Sequence, residues 1–348
     1  MTGRDRILAT LRGEPVDRVP YFDLYIDPKV IHGLYPGMSY EAFVEAEDID
    51  AVFCLAIVED PDTIEWVDPE ARLFRDKWGA LQRMVGDDLL PMVQQPARIE
   101  TDADLAFYTA PDPDASPALR DARRLVQRFG GERAIVAVGE ATFAPQQYLR
   151  GGLEQLLLDY MDRPAFIDEI ARIGVRYYCE LYRKLIAEGV DAVLLGDDYA
   201  GKHGPMMSPS TFERFILPGL TEVVSAVKDA GGYVIKHTDG DIWPLMDVLI
   251  SAGVDMLGPL EPPHMDLKEV RDRSDGRIGV MGNVDVDLLA RGTPDEVRKA
   301  TLELIRHVSP GGRHIIASGN TIASYVDPAN YRVMLDTIRE HGSYPIAV

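Results

Sequence analysis

The sequence predicts an α/β fold, a (β/α)8 TIM barrel with an insertion after the second strand. Three observations predict it. Short apolar runs alternate with amphipathic helical patterns, the signature of βα units and a parallel sheet. Eight such runs occur, the number that closes a barrel. Glycine precedes three of them, in AEGVDAVLL, AGGYVIK and SAGVDMLG, where the left-handed end of the preceding helix favours it.

In chain order the expected strands are 18–25 (RVPYFDLY), 50–54, 134–140, 191–197, 232–237, 254–260, 277–283 and 313–319. Apolar residues at helical spacing fill 152–189, with a break at Pro164. Thr293 followed by Pro294, and Asp327 followed by Pro328, are N-cap and first-turn pairs that start two further helices. The irregular stretch at about 55–130 contains DPDTIEWVDPEARLFRDKWGALQRMV, which predicts a short β-rich insertion. No repeat, linker or low-complexity tract interrupts the chain, so one domain spanning 1–348 is expected.

Composition narrows the function classes. Hydrophobic residues make up 46% of the 348, enough for a sizeable core. The net charge of −21 argues against nucleic acid and against anionic membrane surfaces, both of which select clustered Lys and Arg. Cys54 and Cys179 form no paired motif, so neither a disulfide framework nor a thiolate zinc site is expected. The N-terminal residues are charged throughout and no apolar run is long enough for a bilayer, which predicts a cytoplasmic protein.

Residues just past the strand ends converge on one mouth of a barrel. Here they are polar: Glu140, Asp197 with Asp198 and Tyr199, His237 with Asp239, Glu261, Asn283 and Asn320. Helix capping explains single acids; it explains less well His, Glu and Asn recurring at one end of consecutive strands. His237, Asp239, Glu261 and Asn320 offer nitrogen and oxygen donors that suit zinc. A histidine merely bonded to a neighbouring acid is the alternative. The loop GDDYAGKHGPMMSP adds Lys202 and His203, groups that bind or transfer protons. No phosphate-binding loop, dinucleotide fingerprint or nucleophile elbow is present.

The segments RDRILATLRGEPVDRVP, GEATF, IKHTDGDIWPLMDVLISAGVDMLGPLEPP, GNVDVDLLARGTPDEVR and GGRHIIASGNTIASYVDPANY resemble the uroporphyrinogen decarboxylase superfamily, most strongly from Tyr233 to Tyr331. Within it the chain looks more like the cobalamin-dependent methyltransferases, in the O-demethylase branch. The decarboxylases grip porphyrinogen carboxylates with N-terminal arginines, and VPYFDLYIDP has none. The thiol-directed methyltransferases hold zinc through His-x-Cys, a glutamate and a later cysteine. The matching positions are His237, Asp239, Glu261 and Asn320, so both sulfurs are replaced by oxygen-bearing side chains. Harder ligands leave a more Lewis-acidic ion, better matched to an ether oxygen than to a thiol. The resemblance therefore implies methyl transfer from a methoxy compound, an aryl methyl ether above all, to the Co(I) corrinoid of a partner protein. It gives His237, Asp239, Glu261 and Asp198 the catalytic roles, and Glu140, Asp197, Tyr199, Asn283 and His203 substrate contacts. A homodimer is compatible with it. Three alternatives stand beside it: a thiol- or carrier-directed methyltransferase, a decarboxylase of a small acid drawing on Arg150 or Lys202, and a non-catalytic ligand-binding relative.

Overall fold

Seven of the eight apolar runs form parallel strands in the computed structural model, which describes residues 1–57, 59, 64–84 and 92–346. They are β1 (Ala51–Leu55), β2 (Ala134–Gly139), β3 (Ala192–Leu195), β4 (Tyr233–Lys236), β5 (Met256–Leu257), β6 (Gly279–Met281) and β7 (His314–Ile315). Their order in the sheet is their order in the chain, and every pairing is parallel. The sheet is curled. Side chains alternate across it, as the two-residue period of a strand requires. Phe53, Val136, Leu194, Ile235, Met256 and Met281 fill the inside. Val52, Ile135, Val193, Val234, Leu257 and Val280 face out and pack under the helices.

The run at 18–25 forms no strand. It makes single bridges instead, Arg18 with Ser343 and Tyr21 with Ile316, and Ile26 just beyond it bridges Ile322. Two features of the sequence thin its ladder. Pro20 has no N–H to give, and the Tyr21 N–H goes to the Asp50 side chain at 2.8 Å. The segment still touches both edges of the sheet: Ile316 N donates to Pro20 O at 2.9 Å, and Asp50 N donates to Tyr21 O at 3.1 Å. Asp50, fully buried, is neutralised by Arg6 and Arg18.

The stretch after β1 carries a separate four-stranded antiparallel sheet, built from Trp66–Asp68, Leu73–Arg75, Leu81–Arg83 and Met92–Gln95. The helical break falls at Arg163, between Leu153–Asp162 and Pro164–Ala187. Thr293 and Glu296 close a capping box on Pro294–His307, and Asp327 caps Pro328–His341. Among the described residues no helix is long and apolar enough to cross a membrane.

Candidate active site

β3 and β4 run side by side, and the loops that leave them are tied together. Tyr199 N donates to Thr238 Oγ1 at 2.8 Å, and Asp239 N donates to Asp198 Oδ1 at 3.0 Å. These bonds bring Asp198 beside the loop that carries His237 and Asp239. The donor atoms of Asp198, His237 and Asp239 all lie within 4.8 Å of one another. His237 Nε2 is 3.4 Å from Asp239 Oδ1 and 3.8 Å from Asp198 Oδ1.

The other ring nitrogen fixes the tautomer. Nδ1 lies 2.7 Å from Pro259 O, a carbonyl that can only accept. The Nδ1 proton is thus committed, and Nε2 is turned to the two carboxylates. A backbone carbonyl on the far nitrogen is a common way to orient a ligating or proton-transferring histidine. Burial opposes a charge on His237, but the Asp239 hydrogen bond and the charges of Asp198 and Asp239 outweigh it and raise its pKa. Burial raises that of Asp198, the neighbouring His237 charge working against the shift.

Glu261 and Asn320 hold the loop around this group. Glu261 Oε2 accepts from Gly240 N at 2.8 Å, and Asn320 Nδ2 donates to Asp239 Oδ1 at 2.7 Å. The expected set of His237, Asp239, Glu261 and Asn320 is therefore redistributed. Asp198 is the third member beside His237 and Asp239, and Glu261 is outside the group of mutually close donors. Gly240 has φ +78°, and a Cβ there would lie 2.5 Å from Gly201 O, so no other residue fits this turn without displacing the 200–205 hairpin.

The remaining expected residues are placed less uniformly. Asp197 is wholly buried and accepts the N–H groups of Ala141, Thr142, Phe143 and Ala144 at 2.8–3.3 Å. It anchors the start of Phe143–Leu149. Tyr199 is equally buried, with its hydroxyl on Asp197 at 3.3 Å. Asn283 is buried and donates to Met265 O at 3.0 Å. His203 is exposed on the turn of the 200–205 hairpin. Glu140 is held by Tyr148 at 2.5 Å and Tyr178 at 2.9 Å, and burial pushes its pKa up to about 7.

One residue at the centre is absent from the sequence reading. Lys236, at the end of β4, is wholly buried and donates to Leu195 O at 3.2 Å, to Asp197 O at 2.7 Å and to His237 O. Its ammonium also lies 4.3 Å from the Tyr199 ring centre. Burial lowers its pKa to about 8 against the pull of Asp197, Asp198 and Asp239. It is a fixed positive charge behind an acidic group. The available signal was a lysine closing the otherwise apolar run YVIK.

A curled parallel α/β sheet with its polar groups gathered past the strand ends defines an enzyme-like scaffold, since that is where such folds place ligands. Residues 78–341 match the uroporphyrinogen decarboxylase (URO-D) family, and the chain belongs to it. The uroporphyrinogen decarboxylase of Trichlorobacter lovleyi is 24% identical over 96% of this chain and 98% of its own. That of Paraburkholderia phytofirmans is 25% identical over 70% of this chain and 69% of its own. Among solved structures, a methyltransferase from Methanosarcina mazei superposes with a TM-score of 0.78 at 19% identity, covering 98% of this chain and 99% of that one. The family match and the curated relatives suggest an enzyme, and the Methanosarcina mazei structure shares its fold.

Proposed function

We propose that this protein is a methyltransferase that takes the methyl group of a methoxy compound, with an aryl methyl ether as the best-suited donor, and passes it to the Co(I) corrinoid of a separate partner protein. The observation that carries this reading is the group of Asp198, His237 and Asp239, with Nδ1 of the histidine held by Pro259 O so that Nε2 faces the two carboxylates. The likeness in fold to the Methanosarcina mazei methyltransferase supports it. In this reading the 18–26 segment is the eighth stave that closes the sheet into a barrel.

The reaction breaks the bond between methyl carbon and oxygen, leaves the electron pair on oxygen and ends with a proton on that oxygen. The departing oxygen is basic and needs a positive neighbour. Asp198, His237 and Asp239 fit a divalent cation: one neutral nitrogen with its tautomer set, and two carboxylates whose mutual repulsion a cation relieves. A zinc ion held there would supply Lewis acidity worth several kcal/mol to the leaving oxygen. Asn320 holds Asp239 in place, Glu261 holds the Gly240 amide, and Lys236 fixes the two loops from behind.

Decarboxylation of a small acid is the second reading, because the curated relatives carry that name. It calls for cations facing the substrate. Arg150 is instead buried in an ion pair with Asp159, and Lys202 is exposed on the hairpin. Incubation with methoxylated aromatics and a reduced corrinoid protein separates the readings. Loss of the Co(I) spectrum with release of the phenol is expected, and His237→Ala abolishes it. Persistent turnover in that variant removes the assignment of the centre, and release of carbon dioxide without loss of Co(I) supports the decarboxylase.

A further inference from the structure

A cavity of about 180 Å³ lies between the antiparallel sheet and the end of β2, and none of Asp198, His237 and Asp239 lines it. Its walls are aromatic: Phe74 and Trp78 from the insertion, and Tyr148 from Phe143–Leu149. Its polar groups are unbalanced. Glu59, Asp76 and Glu140 face a single cation, Lys77. That lysine is already matched, by Ile57 O at 3.2 Å and Glu59 Oε1 at 3.4 Å.

An independent observation points to an occupant. Gln82 lines the cavity and is only 6% exposed. Its amide nitrogen is committed, donating to Asp76 Oδ2 at 2.6 Å, which leaves Oε1 as the free end. That Oε1 accepts no hydrogen bond among the described residues. A buried acceptor left unmet is costly, so it calls for a donor from outside the chain. An acidic excess selects a positive donor, and aromatic faces attract cations. The volume is below the roughly 300–1,000 Å³ of drug-sized pockets, so the occupant is small.

We propose that this cavity binds a small protonated amine, with an ammonium N–H donating to Gln82 Oε1, the charge balanced by the cavity carboxylates, and the apolar body against Phe74, Trp78 and Tyr148. The inference stands on its own residues and does not rest on the methyl-transfer reading.

Calorimetric titration of the full chain with benzylammonium, benzyl alcohol and benzoate tests it. The three share a ring and differ in charge. Saturable one-site binding of benzylammonium is expected, roughly tenfold or more tighter than the alcohol, a difference of about 1.4 kcal/mol, with no binding of benzoate. At pH 8, where Glu140 has lost its proton, Glu140→Gln keeps the shape, removes one charge and weakens the ammonium roughly tenfold, the scale of one charge-assisted bond. Val93 sits opposite Gln82 on the neighbouring strand and is 41% exposed, so Val93→Trp fills the rim without touching the core and abolishes binding. Equal affinity for alcohol and ammonium overturns the proposal. So does unchanged binding in Val93→Trp, or no saturable binding of either benzylammonium or the smaller propylammonium.

Discussion

At the residue scale the centre is a matter of which atoms are already committed. Pro259 O occupies His237 Nδ1, Asn320 occupies one lone pair of Asp239, and Asp197 is consumed by four backbone amides. Asn320→Ala frees Asp239 to rotate. The expected result is a 10–100-fold loss of metal affinity or turnover, the usual effect of removing an outer partner of a ligand; a zinc-competition assay reads it. Lys236→Met removes the ammonium from among three carbonyls and three nearby acids. Urea unfolding is expected to show a loss of roughly 3–5 kcal/mol, the scale for breaking a buried charge arrangement. Glu140 gives a pH signature. Its folded pKa of about 7 is above the ordinary glutamate value, so the folded state holds its proton where the unfolded state has lost it. Stability from this group is fully present below about pH 4.5 and falls as pH rises to about 7, by at most roughly 3 kcal/mol. Glu140→Gln should flatten the thermal midpoint across that window; an unchanged slope would place the titration elsewhere.

At the scale of elements, what could be read from the chain depended on whether a pattern was local. Strands β2 to β4 and the capped helices were legible because apolar runs, glycines and Thr-Pro or Asp-Pro pairs sit within a few residues of one another. The 18–25 run misled because its alternation is that of a strand, while Pro20 and the Asp50 side chain, 29 positions beyond Tyr21, take its ladder apart. The site was legible in part. His237 and Asp239 stand in one short motif, whereas Asp198 joins them only through the cross-ties between the β3 and β4 loops. No spacing rule reports that tie. The same holds for Gln82 and Glu140, which share a cavity across 58 residues of chain. The turn at Gly240 gives an element-scale prediction. Gly240→Ala meets the Gly201 carbonyl and a positive φ together, so it should cost roughly 1–3 kcal/mol and reduce turnover sharply. A variant with native stability and activity would show that the hairpin does not brace the loop.

At the scale of the whole molecule, the curled sheet carries the account because it aims loops from distant parts of the chain at one point. Asp198 follows β3, His237 and Asp239 follow β4, and Asn320 arrives from beyond β7. The most direct test of that convergence is metal stoichiometry. Purified protein equilibrated with zinc and passed through a desalting column should retain one ion per chain, and Asp198→Asn, His237→Ala and Asp239→Asn should each lose it while keeping the fold. Retention of the same ion by all three variants, or no retention by the parent protein, would contradict the claim that these side chains form one cation centre.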